Sequence, residues 1–187
     1  MPWLHTACGH CEHCFGDCVA VSGIGGLGPM AVQYAKAMGF HVIAVDIADD
    51  KLALAKSLGA ELTLNAATQD VVAEVKRHVR GAHGVLVTAV SRAAFAQAVG
   101  MLHKRGTMSL VGLPPGSLDL PIFDVVLNAR TVRGSIICTR PDLQEALQFA
   151  GERKVRSRYS TDKIDNINAI FGAMKEGRID GRVVLEM

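Results

Sequence analysis

A short apolar run, Cys18-Val19-Ala20-Val21-Ser22, leads straight into Gly23-Ile24-Gly25-Gly26-Leu27-Gly28, and what surrounds it leaves few folds open. After the glycines, apolar residues recur at Leu27, Ala31, Tyr34, Ala35 and Met38 with helical spacing, and Gly39 ends the run. A second apolar run, His41-Val42-Ile43-Ala44-Val45, finishes on Asp46, 18 residues beyond Gly28. A G-x-G-x-x-G hexapeptide alone carries little weight. Placed between a strand and a helix, with a second strand and an acid at this distance, it makes a dinucleotide-binding βαβ unit.

Each part of that unit has a physical task. Gly23 allows the tight turn out of the strand, Gly25 removes a side chain so that a pyrophosphate can approach, and Gly28 lets the helix lie close to the sheet. The helix N-terminus presents backbone amides and the positive end of its dipole to the phosphates. Pro29 suits the first helical turn, where no N–H is needed. Asp46 can accept hydrogen bonds from an adenosine ribose diol and would repel a 2′-phosphate, so the expected cofactor is NAD rather than NADP.

The alternation continues to about Arg153. Helices are expected after Asp49, over Val71–Val79, from Ser91 to Val99 and from Asp142 onward, with Ser91 as a cap. Strands are expected at Leu62–Asn65, Gly84–Ala89, Thr107–Val111 and Thr131–Ile137. Continuous apolar strands alternating with helices imply a parallel sheet covered on both faces, hence an α/β, doubly wound Rossmann fold. Residues 158–164 and 182–185 read as strands around a helix over 166–175, and this tail breaks the alternation. The expected division is a short Cys-rich N-terminal stub at 1–15, a cofactor domain at 16–155 and a C-terminal segment at 156–187.

Composition narrows the partners. At 187 residues, 49% hydrophobic and net charge +2, the chain can bury one good core and shows no charge demand for nucleic acid or membrane. Its densest basic stretch, Arg153-Lys154-Val155-Arg156-Ser157-Arg158, lacks interleaved aromatics and reads as a solvated helix end. Without an apolar run of about 20 residues or a basic-then-apolar leader, the expected location is cytoplasmic.

Four of five cysteines crowd into the first 18 residues as Cys8, Cys11, Cys14 and Cys18, a C-x₂-C-x₂-C-x₃-C spacing. Three states are open: a reduced, metal-free segment first, structural zinc on Cys8, Cys11 and Cys14 second, and an iron–sulfur cluster last. In the zinc state Cys18, His5, His10 or His13 would complete the set. Cys138 stands alone and reads as structural, and His41, His78, His83 and His103 have no ligand spacing.

With these pieces assembled, the chain resembles the zinc-dependent alcohol dehydrogenases of the medium-chain dehydrogenase family, especially the bacterial and fungal ethanol-oxidising kind. The carriers are Val21 to Gly28, Asp46 with Lys51-Leu52, Leu58-Gly59-Ala60, Val87 to Ser91, Val111-Gly112-Leu113-Pro114, Val132 to Ile136 and Gly181-Arg182-Val183-Val184. The resemblance implies that Gly23, Gly25, Gly26, Leu27 and Gly28 cradle the pyrophosphate, with Asp46 and Lys51 at the adenine ribose and Thr88 at the adenine side. It also implies that Val111, Leu113, Ser135 and Ile136 reach the nicotinamide, and that Arg182 pairs with a cofactor phosphate.

Pro2 to Cys14 resembles the start of the family's structural-zinc lobe, whereas Gly16-Asp17-Cys18-Val19 resembles the approach to the first cofactor-domain strand. The join near Phe15 therefore implies a deletion, with Cys18 on a strand. Alcohol dehydrogenase is itself the usual example of a Cys₂His catalytic zinc site, yet neither Cys-x-x-His nor Gly-His-Glu occurs here. The resemblance thus implies an NAD(H)-binding domain whose family reaction converts a primary alcohol and NAD to aldehyde and NADH, with little turnover by these residues alone. A dimerising interaction protein and a dehydrogenase with a rebuilt zinc site are the alternatives. A homo-oligomer is expected because family dimers form at the edge of this sheet.

Overall fold

A computed structural model of the chain describes residues 16–179 and 181–187, so Cys8, Cys11, Cys14 and the expected Cys-rich stub at 1–15 lie outside the described residues. Six strands, β1 (Cys18–Ser22), β2 (His41–Asp46), β3 (Leu62–Asn65), β4 (Ala82–Val87), β5 (Leu102–Leu110) and β6 (Thr131–Gly134), form one sheet. Their order is β3-β2-β1-β4-β5-β6, and each neighbouring pair is parallel. This is the doubly wound order, with the direction of travel reversing between β1 and β4.

The connecting helices are α1 (Gly28–Ala37), α2 (Asp49–Ser57), α3 (Val71–Val79), α4 (Arg92–Met101), α5 (Ile122–Leu127) and α6 (Arg140–Gly151). Successive strand residues point to opposite faces. On one face Val19, Val21, Val42 and Ala44 pack against Ala31, Val32 and Ala35 of α1 and against Leu52 and Ala55 of α2. On the other, Ala20, Ile43, Val45, Val85 and Met108 pack against Val71 and Val75 of α3 and Phe95, Ala98 and Val99 of α4. Each such buried valine or isoleucine contributes about 1.5–3 kcal/mol.

Several element boundaries differ from the sequence reading. Strand β4 starts at Ala82 and stops at Val87, and β5 begins at Leu102, five residues before the expected Thr107. The polar His103-Lys104-Arg105 stretch hides that start, and a register shift between Ala82 and Gly84 accommodates it. β6 ends at Gly134 because Ile137 takes a left-handed backbone (φ 47°), which a β-branched residue rarely adopts in a strand. Helix α5 was not foreseen. Ser91 occupies the start of α4 without a side-chain cap bond.

Helix α6 is fixed at its start by reciprocal capping: Thr139 Oγ1 donates to Asp142 Oδ2 (2.6 Å), and Asp142 N–H returns to Thr139 Oγ1 (3.4 Å). Those bonds from Thr139 hold the Asp142 carboxyl well below the usual carboxylate range. Helix α6 docks on α1 through Tyr34, whose hydroxyl donates to the Ala146 carbonyl (3.2 Å) and whose ring meets Phe149 edge to face at 5.8 Å. Burial pushes the Tyr34 hydroxyl pKa up. Beyond α6 the chain forms β7 (Tyr159–Lys163), a 3₁₀ turn (Ile164–Asn166), α7 (Ile167–Lys175) and β8 (Arg182–Glu186), with β7 and β8 paired in a second, parallel sheet.

At the opposite end of the main sheet, Glu61 accepts from Lys36 Nζ (2.7 Å) and meets His41 Nδ1 (2.6 Å). The Lys36 and His41 contacts lower the Glu61 pKa below its ordinary 4.5. A carboxyl depressed by folding stabilises the ionised native state, so its contribution is present above about pH 4.5 and is lost below it. Because the pair is exposed, Glu61→Gln is expected to cost about 0.5 kcal/mol at pH 7 and nothing measurable at pH 3. Urea unfolding at the two pH values measures this; an equal cost at both would show that charge is not the cause.

Candidate functional site

The site is built where β1 hands over to α1. Gly23 turns the chain with φ +97°, and its N–H donates to the Val45 carbonyl at 2.8 Å. A Cβ on Gly23 would lie 2.5 Å from the Ala89 amide nitrogen. One on Gly28 would overlap the Gly23 carbonyl oxygen, so the helix can approach the turn only with no side chain there. Thr88 fastens the same turn to β4: its hydroxyl donates to the Gly23 carbonyl at 2.6 Å. Gly25 has no heavy atom within 4 Å of a would-be Cβ and faces open space.

Asp46 ends β2 beside this loop. Its Oδ2 accepts from the Ile24 amide at 2.6 Å, and its Oδ1 accepts from the Ile47 and Ala48 amides at 2.8 and 3.1 Å. Three of the roughly four acceptor positions of a carboxylate are thus used to fix its orientation. The loop and Asp46 share an open cleft of ≈ 490 Å³ with Lys51, Thr88, Val90 and Gln97. The cleft lies outside the carboxyl ends of β1, β2 and β4, at the reversal in strand order, where open α/β sheets take their ligands.

The C-terminal segment returns to the loop. The Arg182 guanidinium lies against Gly26, 3.1–3.3 Å from where a side chain would begin. The Lys51 ammonium lies 3.8 Å from the corresponding point on Gly177. Arg182 therefore lies on the glycine loop itself, while Lys51 lines the same cleft on the side of Asp46.

The remaining expected residues fall elsewhere. Leu113, Ser135 and Ile136 share a second, mainly apolar cavity of ≈ 460 Å³ with Arg92, Phe95 and Leu118. The Ser135 amide donates to the Leu110 carbonyl at 2.9 Å, which holds this segment at the end of β5. Val111 packs against the α1 face of the core, and its amide bonds the Val87 carbonyl at 3.0 Å. Leu27 stands half-exposed at the boundary of α1, and its carbonyl accepts from Ala31. Gly112, to which the sequence assigns no role, crosses so close to Ala89 that a side chain there would overlap the Ala89 carbonyl.

Cys18 is buried at the start of β1, as expected of a strand residue, and burial pushes its thiol pKa up, with Glu61 and Asp17 adding to the shift. That disfavours the thiolate a metal requires. Among the described residues no three His, Cys, Asp or Glu side chains are placed to hold a metal ion. No helix among them is long and apolar enough to cross a membrane.

This geometry has close counterparts. The family described as zinc-binding dehydrogenase matches residues 26–152. The alcohol dehydrogenase of Rhizobium meliloti (strain 1021) is 63% identical over 172 residues, covering 92% of this chain and 51% of that protein. The Moraxella sp. (strain TAE123) alcohol dehydrogenase is 54% identical over 171 residues, covering 91% and 51%. The chain spans about half the length of the curated relatives it matches. Among solved structures, the alcohol dehydrogenase of the archaeon Aeropyrum pernix superposes with a TM-score of 0.86 at 32% identity, over 91% of this chain and 50% of that one. Acetophenone reductase from Geotrichum candidum, solved in complex with NAD, gives 0.81 at 25% identity, over 98% and 52%. From the glycine loop through α6, in sequence and in fold alike, the chain belongs to the zinc-binding dehydrogenase family.

Proposed function

We propose that residues 16–155 are an NAD(H)-binding domain of alcohol dehydrogenase type, that 156–187 is the segment which in the family returns to the catalytic domain, and that 1–15 is a remnant of the structural-zinc lobe. The observation that carries this reading is the glycine loop itself, with Asp46 bonded to the Ile24 amide and the Arg182 guanidinium against Gly26. The residues fit a dinucleotide. Gly25 leaves room for the pyrophosphate, Arg182 and Lys51 supply positive charge, and Asp46 faces the ribose with its carboxylate already oriented. Thr88 holds the loop closed on β4, and Leu113, Ser135 and Ile136 border the nicotinamide end. When bound, the nicotinamide supplies the hydride donor or acceptor for interconverting a small primary alcohol and its aldehyde.

Zinc is a different case. A Lewis acid on the alcohol oxygen supplies much of the stabilisation of the developing alkoxide, and the described residues bring together no ligand set for one. Their own task is to bind and orient the dinucleotide, with little independent turnover.

A second reading, a dimerising interaction protein, is favoured by one feature. Helix α5, which leads into the edge strand β6, exposes Ile122, Phe123, Val126 and Leu127, each at least 66% accessible. Such a contiguous apolar face calls for a partner, and a second copy meeting it at the sheet edge would make a homodimer. Calorimetric titration with NADH and NADPH tests the first reading. NADH is expected to bind with a Kd of about 1–100 μM and NADPH at least about tenfold more weakly. No heat of binding at millimolar NADH would overturn it, while NADH binding without turnover by a dimer would join the two readings.

A further inference from the structure

Gln33 lies half-buried on α1, five residues past Gly28, and its amide reaches across 123 positions of sequence. Its Nε2 donates to the Arg156 carbonyl at 3.0 Å, and its Oε1 accepts from the Arg156 amide, also at 3.0 Å. The same Nε2 donates to the Pro29 carbonyl at 3.1 Å, in the first turn of the helix. One side chain thus grips a distant residue through both of its backbone groups, as a neighbouring strand would. Val155, next to that residue, is buried.

Two residues further on, the Arg158 carbonyl accepts the Arg182 amide at 3.1 Å, and Tyr159 is the register partner of Arg182 between β7 and β8. Arg182 then lays its guanidinium against Gly26. The contacts close a ring that runs from Gly26 through α1 to Gln33, across to Arg156, along to Arg158, over to Arg182 and back to Gly26. Gln33 is the side-chain link in this ring that ties the segment leading to β7, and through it the strand carrying Arg182, to the helix whose N-terminus faces the same loop.

We propose that Gln33 is a positioning residue for dinucleotide binding, acting solely by fixing where Arg182 stands over the glycine loop. The inference rests on the NAD(H)-binding reading above. An arginine contributes most to phosphate binding when its fork is already in place, because less freedom is then lost on binding. Gln33 itself contacts neither the loop nor the cleft, so a purely local role would affect stability and leave Arg182 unaffected.

A double-mutant cycle read by NADH calorimetry on the full chain separates the two. Gln33→Leu is expected to weaken NADH binding about fivefold when Arg182 is present, and less than about 1.5-fold when Arg182→Ala is already in place. Equal weakening in both backgrounds, or none in either, overturns the proposal while leaving the NAD(H) reading standing. Absence of NADH binding by the unaltered chain brings both down. Should Gln33→Leu fail to fold, Gln33→Glu, which keeps the acceptor for the Arg156 amide and loses the donor to its carbonyl, takes its place in the same cycle with the same deciding outcomes. Trypsin cleavage after Arg156 and Arg158 is then compared between this variant and the unaltered chain. Saturating NADH is expected to slow both cuts about threefold or more in the unaltered chain and less than about 1.5-fold in the variant, and equal protection of the two counts against the proposal.

Discussion

Gly28→Ala is expected to destabilise the chain by about 3 kcal/mol and to reduce NADH affinity by more than about 50-fold. The new methyl would overlap the Gly23 carbonyl oxygen, a backbone atom held by the Thr88 hydroxyl at 2.6 Å and unable to swing aside as a side chain could. Either α1 lifts from the sheet, with loss of the Ala31, Val32 and Ala35 packing, or the Gly23 turn opens. Gly25→Ala is the informative partner. Its methyl meets no heavy atom within 4 Å, so stability should change by less than about 1 kcal/mol, while the methyl occupies the space read as the pyrophosphate seat. Urea unfolding and NADH calorimetry on both variants check this. If Gly28→Ala binds NADH within about twofold of the parent chain, the close approach of helix and turn is not what makes the site.

Asp46→Asn is expected to shift the NADH-over-NADPH preference by roughly 100-fold. Like unit charges about 5 Å apart repel by about 3 kcal/mol at an effective dielectric of about 20, and a 2′-phosphate beside Asp46 would meet at least that. The amide abolishes the repulsion but also has a structural cost. It offers one acceptor oxygen where three backbone amides, of Ile24, Ile47 and Ala48, now converge. At least one donor is then faced by an NH₂ group, at about 1–3 kcal/mol. NADH affinity should therefore fall by about tenfold or more even as NADPH affinity rises. The ratio of the two dissociation constants is the quantity to measure. A ratio unchanged from the parent chain would place the adenosine ribose away from Asp46.

Helix α5 and the start of β5 mark where the sequence stopped being legible. The limits of β1 and β2 could be read closely because both are continuous apolar runs buried on the two faces of the sheet, and those of α3 because Val71 and Val75 recur at helical spacing against the core. Ile122-Phe123-Asp124-Val125-Val126-Leu127 carries no such record: none of its residues is buried, so its apolar residues mark no interior face. It is held by the Arg130–Asp124 ion pair and by Asn128 Nδ2, which donates to Asp124 Oδ1 at 2.7 Å; such polar contacts leave no periodicity. The glycine loop and Asp46 were legible because they form one local unit. Arg182 was singled out only through family resemblance, as a partner for a cofactor phosphate, and neither its approach to Gly26 nor the Gln33 clamp was foreseen, because a glutamine on a helix surface gives no local sign of a partner 123 residues away.

The sheet formed by β7 and β8 has two strands, exposed along most of their length, and α7 buries none of its side chains. Two-stranded units of this kind are marginal on their own and open at a small fraction of the free energy needed to unfold a six-stranded core. Arg182 is carried by that weaker unit, whereas Gly23, Gly28 and Asp46 belong to the rigid one. If Arg182 pairs with a cofactor phosphate as proposed, that contact exists only in molecules whose C-terminal ribbon is docked, and the affinity gained through it is scaled by the docked fraction. Contacts that favour docking, wherever they lie, act on the cofactor as surely as those that touch it.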